Sequence, residues 1–239
     1  MPQEQVLRDK VAVITGGSRG IGFALAQALV QEGCNVVITA RDGKALKAAA
    51  AKVGKDKVFA QPCDVANPDQ VQELFEKVNK QHPTIDILVN NAGISHALAP
   101  VEKLSVKDWK QVIDTNLTGM FLCTRAALPM MQAGGTIVNN LSVAAIQPFE
   151  GMAAYNASKY GALGFTNVLR EELRQRGIRV LALIPGPTDT EIWDQFWPEA
   201  PKEKMVSPTT VAEAVLHAVT LPDNATIEEI RLGTITGVL

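Results

Sequence analysis

Val11-Ala12-Val13-Ile14-Thr15-Gly16-Gly17-Ser18-Arg19-Gly20-Ile21-Gly22 is the passage on which the fold of this 239-residue chain turns. Its opening run is apolar and β-branched, which suits a short strand buried on both faces. The glycines follow at once, and Ala24 to Gln31 then carry a helical pattern. A glycine turn between a first strand and a first helix is where a doubly wound sheet holds a dinucleotide. The missing side chains let the backbone approach a pyrophosphate, and the helix N-terminus favours its charge. The spacing here is Gly16-x-x-x-Gly20-x-Gly22 and not G-x-G-x-x-G, so the turn alone would also fit a plain tight connection. The strand before it and the helix after it favour the nucleotide.

Working outward, strand and helix alternate along the chain. Strands are expected at Val36–Thr39, Val58–Ala60, Ile85–Val89, Thr136–Asn139, Ile178–Ile184 and Ile227–Leu232. Helices are expected at Gly43–Val53, Asn67–Gln81, Ser105–Met131 (as one or two), Tyr155–Gln175 and within Val211–Leu221. This rhythm predicts one α/β domain spanning 1–239, Rossmann-like and doubly wound, with a mostly parallel seven-stranded sheet and helices on both faces. The irregular stretch 186–208, rich in proline and carrying Trp193, Phe196 and Trp197, reads as a substrate loop, since long loops inside compact domains usually serve function.

The composition, 46% hydrophobic and 20% charged, supplies one large core. A net charge of −2 leaves no electrostatic footprint for nucleic acid or an anionic membrane, so the partners expected are small molecules or further copies of the chain. The start, Met1 to Gln5, lacks the basic and apolar regions of a secretory leader, and no apolar run approaches a membrane span; a cytoplasmic protein is expected. Cys34, Cys63 and Cys123 form no C-x-x-C pair, and His82, His96 and His217 are scattered. Core packing in a reducing compartment and no metal centre are the expectation.

Two further places carry chemistry. At the end of the second strand an acidic residue would hold a ribose 2′-hydroxyl and a basic one a 2′-phosphate. The chain reads Thr39-Ala40-Arg41 there, with no carboxylate before Asp42, and Arg19 projects from the glycine turn toward the same region. Two guanidiniums can grip a phosphate, so NADP(H) is expected over NAD(H). In Tyr155-Asn156-Ala157-Ser158-Lys159 a phenol and an ammonium lie four residues apart on a helix and so share a face. A nearby ammonium is expected to lower a phenol's pKa toward the working pH, which would make the pair an acid/base.

Together these stretches resemble the short-chain dehydrogenase/reductase family from about Lys10 to Thr190. The signatures stand in order as the glycine turn, Asp64-Val65, Asn90-Asn91-Ala92-Gly93, Asn116, Ser142, Tyr155 with Lys159, and Pro185-Gly186 with Thr190. The resemblance implies that Tyr155 exchanges a proton with the carbonyl oxygen while hydride passes to or from nicotinamide. Lys159 would lower the phenol's pKa and hold the nicotinamide ribose, Ser142 would steady the oxyanion, and Asn116 would hold a water linking Lys159 to solvent. Gly16, Ser18, Arg19, Gly20, Ile21, Gly22, Ala40 and Arg41 would line the cofactor's phosphate end. Asp64 and Val65 would meet the adenine, with Asn90, Ala92 and Gly93 beside the ribose. Ile184, Pro185, Gly186, Thr188 and Thr190 would surround the nicotinamide. Trp193, Phe196 and Trp197 would close over the substrate beside Ser142 and Tyr155. Two departures from the family pattern stand out. Asn140-Leu141 precedes Ser142 where an apolar residue and a second serine are common, and a buried Asn140 would need partners; Thr188 stands where Val or Ile is frequent. The Ser-Arg-Gly-Ile-Gly turn is similar to the 3-oxoacyl carrier-protein reductase type, which would act on an acyl thioester. Gln132-Ala133-Gly134-Gly135 lacks the basic connection such members often show, although Arg174, Arg176 and Arg179 follow. A general NADPH carbonyl reductase is therefore the broader expectation. Family analogy suggests a homotetramer, or a homodimer, built on the Ser105–Met131 and Tyr155–Gln175 helices. A non-catalytic NADP(H)-binding sensor is the contrasting reading, and it would not need Ser142, Tyr155 and Lys159 together.

Overall fold

A strand with four apolar residues in succession can only sit between two layers, and β1 (Val11–Thr15) does so, buried throughout with Thr15 at its end. Ala12 and Ile14 pack toward α1 (Gly20–Gln31), α2 (Gly43–Val53) and α7 (Pro208–Val219). Val13 points the other way, toward α3 (Pro68–Gln81), α5 (Gly119–Ala127) and α6 (Ala153–Arg174). The structure, a computed structural model, describes residues 6–54 and 56–237; Met1 to Gln5, read above for a leader, lie outside the described residues.

Around β1 are β2 (Asn35–Thr39), β3 (Val58–Ala60), β4 (Ile87–Asn90), β5 (Thr136–Asn140), β6 (Arg179–Pro185) and β7 (Glu229–Leu232), in the order β3-β2-β1-β4-β5-β6-β7. Every pairing in this seven-stranded sheet is parallel, where a mostly parallel one was expected. The chain winds outward from β1 to β3, then returns to the other side of β1 at β4. The C-terminal ends of β1 and β4 thus flank the switch point where such sheets open a crevice.

Some boundaries differ from expectation. β4 starts at Ile87, and Asp86 just before it ties down the entry to β1: its carboxylate accepts from Val11 N at 2.8 Å and pairs with Lys10 at 2.9 Å. Of the one or two helices expected over 105–131 there are two: α4 (Val106–Ile113) passes through a π-turn at Asp114–Thr118 into α5. Side chains of Asp42, Asn67, Ser105 and Ser207 cap α2, α3, α4 and α7, each worth about 1 kcal/mol. α1 and α6 begin without a side-chain cap. Both open onto the crevice.

Candidate active site

A cleft of about 620 Å³ runs along the C-terminal edge of the sheet, from Arg41 at one end to Trp197 at the other. The glycine turn forms its first end. Gly16 has φ +66, and a Cβ there would come within 2.9 Å of Ala92 Cα. A Cβ on Gly22 would lie 2.4 Å from Gly16 O, so α1 can start this close to the turn only without a side chain. Asn91 locks the arrangement: its Nδ2 donates to Thr15 O at 2.9 Å and Gly16 O at 3.1 Å. Thr15 Oγ1 accepts from Asn91 N and Ala92 N. Arg19 and Arg41 are exposed on this wall, and among the described residues neither makes an ion pair. The Asp42 carboxylate, which could have repelled a phosphate, is occupied by Lys44 N and Ala45 N of α2. An anion-ready helix start, two available guanidiniums and a backbone cradle fit a phosphorylated dinucleotide.

The middle of the cleft holds Ser142, Tyr155 and Lys159. Ser142 ends the segment after β5; its Oγ accepts from Ala144 N at 3.1 Å, and its hydroxyl lies on the same wall as the Tyr155 phenol. Lys159, one turn along α6, has its Nζ 5.6 Å from the centre of the Tyr155 ring and donates to Asn140 O at 2.9 Å. Burial pushes the Tyr155 pKa up, and the neighbouring Ser142 hydroxyl opposes this. Burial also pulls Lys159 down to about 8. The expectation that the ammonium lowers the phenol's pKa therefore does not hold in this arrangement. Nζ is turned to a backbone carbonyl, and burial penalises both charged forms.

Asn116 lies in the π-turn and is almost wholly buried. Its Nδ2 donates to Ile94 O at 2.9 Å and Ser158 Oγ at 3.0 Å, while Oδ1 accepts from Ile94 N at 2.9 Å. Ser158 Oγ in turn donates to Tyr155 O at 2.7 Å. Both amide hydrogens are engaged, so the side chain ties the loop after β4 to the first turn of α6.

Of the other expected residues, Ser18, Gly20, Ile21, Ala40, Asp64, Val65, Ala92, Gly93, Pro185, Gly186, Thr188 and Thr190 line the cleft, as do Trp193, Phe196 and Trp197. The side chain of Asn90 does not. It is buried and donates to Thr124 Oγ1 and Asn139 Oδ1, because the alternation of a strand turns it into the layer beneath and leaves Asn91 to face the cleft. Ile184 is likewise core, and Gly22 serves packing within the turn. Asn140 finds one partner, donating to Asn91 Oδ1 at 2.8 Å; its own Oδ1 has none.

Sequence reading missed the opposite wall. Ile94, Leu98, Phe149, Glu150, Met152 and Gln195 all reach the cleft. Asn156, quoted only as part of a motif, holds this wall: Phe149 N donates to its Oδ1 at 3.1 Å, and its Nδ2 donates to Ala144 O and Gln147 O at 2.8 Å. Its place beside Tyr155, at a helix start with no side-chain cap, was the available signal.

The family model described as short chain dehydrogenase matches residues 10–201. An uncharacterized oxidoreductase of Staphylococcus aureus is 34% identical over 229 residues, covering 95% of this chain and 98% of the relative. Among solved structures, the closed form of a serine dehydrogenase complexed with NADP+ superposes with a TM-score of 0.88 at 30% identity, covering 96% of each chain. A metagenomic short-chain oxidoreductase in complex with NADP gives 0.83 at 32%, covering 95% of this chain and 97% of that one.

Proposed function

Because the chain belongs to the short-chain dehydrogenase family and is an oxidoreductase, we propose that it interconverts carbonyl compounds and secondary alcohols with NADP(H), using Tyr155 as the acid/base. The observation that carries this reading is the meeting of Ser142, Tyr155 and Lys159 on one wall of a cleft whose far end is a glycine-built, uncapped helix start.

NADP(H), when bound, supplies or receives the hydride. Arg19 and Arg41 would hold its 2′-phosphate, and the first N–H groups of α1 its pyrophosphate. Asp64 and Val65 would border the adenine, and Gly186, Thr188 and Thr190 would shape the nicotinamide slot. Ser142 would donate to the carbonyl oxygen, the kind of preorganised contact worth about 3 kcal/mol in a transition state. Tyr155, kept protonated by its burial, would give that oxygen its proton. Lys159 stays mainly charged at neutral pH with its pKa near 8, is anchored on Asn140 O, and would hold the nicotinamide ribose. Asn116 acts by fixing Ser158 and Ile94, and through them the height of Tyr155.

Trp193, Phe196 and Trp197 would cover the bound substrate. Assembly into a homotetramer or homodimer would use the outer faces of α5 and α6, where Phe121, Tyr160 and Val168 are exposed. The buried, unpaired cysteines accord with a cytoplasmic setting; burial pushes Cys34 up to about 12 and Cys63 up to about 11. The test is NADPH oxidation against a panel of β-ketoesters, acetoacetyl thioesters, small aldehydes and quinones. Turnover abolished by Tyr155→Phe is expected. NADPH binding with no turnover of any member would favour the non-catalytic sensor instead, and a monomer by light scattering would reject the assembly.

A further inference from the structure

The mouth of the cleft beyond Tyr155 is built of Leu98, Phe149, Met152, Trp193, Phe196 and Trp197; Glu150 stands on the same wall as Phe149, while Glu191 turns its carboxylate toward Gly20 of the glycine turn. We propose that the substrate is an uncharged carbonyl compound bearing an aryl or similarly flat apolar group, and that Glu150 turns carboxylates and other anions away. This rests on the carbonyl-reductase reading above and specifies its substrate class.

Charge placement carries the argument. Among the described residues lining the cleft, the cations are Arg19, Arg41 and Lys159. The first two stand at the nucleotide end, and Lys159 is committed to Asn140 O beside the reacting centre. A second anionic group on the substrate would therefore enter a largely apolar wall bordered by the Glu150 carboxylate, with no lining cation there to receive it. Moving an anion from water into such a place costs several kcal/mol without a partner.

The wall is also fixed in place. Phe149 is held by Asn156, Ala99 N donates to Gly151 O at 3.0 Å, and Ser95 N donates to Gln195 Oε1 at 2.9 Å. Trp193 donates from Nε1 to Thr188 O at 2.9 Å, and its ring centre lies 5.0 Å from that of Phe196 and 6.0 Å from that of Trp197. A rigid aromatic corner of this kind matches a flat ring better than a flexible chain.

The residues that could have welcomed an acidic carrier protein are elsewhere. Arg179 begins β6, six residues and so roughly 20 Å from the Pro185 end where the cleft opens. It is bonded to Thr136 Oγ1 and Leu221 O. Arg176 donates to Leu128 O, and Arg174 pairs with Glu171 at 2.8 Å and Glu228 at 3.5 Å. In the proposed reduction the carbonyl carbon takes hydride from NADPH, its oxygen takes the Tyr155 proton, and solvent restores the phenol.

The test uses matched substrates: methyl benzoylformate, benzoylformate, and methyl pyruvate, which keeps the ester and drops the ring. kcat/KM for methyl benzoylformate should exceed that for each of the others by about tenfold or more. Glu150→Lys should shrink the ester-to-acid ratio by at least about threefold, mainly through KM for the acid. Because two of the chain's three tryptophans stand at the mouth, fluorescence titration gives a readout independent of turnover. Methyl mandelate should bind at about tenfold lower concentration than mandelate. Equal use of acid and ester, a preference for methyl pyruvate, or a ratio unmoved by Glu150→Lys overturns the proposal. Preferential binding of methyl mandelate with no carbonyl reduced would overturn the hydride-transfer reading and leave the ligand class standing.

Discussion

The two ends of the cleft are made by opposite means. At the nucleotide end the working surface is backbone, brought close by Gly16 and Gly22 and bordered by two exposed arginines, all but Arg41 lying within one short stretch after β1. At the substrate end it is side chains from three separated loops, held together by Asn156, Ala99 with Gly151, and Ser95 with Gln195. The first takes its shape mostly from one contiguous stretch, with Asn91 as its lock from outside. The second is specified by long-range contacts and can be rebuilt loop by loop without disturbing the first.

That contrast breaks most readily at Tyr155. Tyr155→Phe should lower kcat by roughly 10³, the scale of a lost general acid, while NADPH affinity by fluorescence titration stays close to that of the parent. A parallel loss of cofactor affinity would mean that the ends are not independent. Replacing Arg19 and Arg41 together by Ala should do the reverse, raising KM for NADPH by about 10–100-fold while NADH is used as before. Retained preference for NADPH would place 2′-phosphate recognition elsewhere.

Lys159 gives a test in stability. Its folded pKa lies below its unfolded value, so the unfolded chain binds more protons between about pH 8 and 10.5, and stability from this group rises with pH across that window. Without cofactor, Lys159→Met should therefore stabilise the protein at pH 7, by roughly 1–2 kcal/mol after loss of the bond to Asn140 O. The gain should fade as pH approaches 10.5. Denaturant melts at pH 7 and 10 would show it; a variant less stable at pH 7 would mean the charge is better solvated than its burial implies. The smallest effect is expected at Asn156→Ala, which should raise KM for aryl ketones by several-fold, with kcat nearly unchanged, by loosening Phe149 and Glu150.

This difference in construction also explains what could be read from sequence. The strand, the glycine turn, the Arg19 and Arg41 pair and the Tyr155 to Lys159 spacing are contiguous or periodic, so residue order alone nearly specifies their geometry. Asn90 and Asn91 could not be sorted the same way, since which of two adjacent side chains faces the cleft depends on the layers packed against β4, where Thr124 and Asn139 receive Asn90. Nor could Leu98, Phe149 and Glu150 be recognised, as nothing local reveals that Gly151 pairs with Ala99. The pKa of Tyr155 was misjudged because burial is a property of the assembled chain.

Between α4 and α5, Gly119 N reaches back five residues to Asp114 O. That one surplus residue offsets the angular phase of everything after it by about 100°. Leu122 and Cys123 are thereby directed into the interior and Phe121 outward. Deleting a single residue between Asp114 and Thr118 would restore regular winding and rotate the hydrophobic stripe of α5 off its seat, so outside the buried Thr115 and Asn116 this segment should accept substitutions more readily than a change in length.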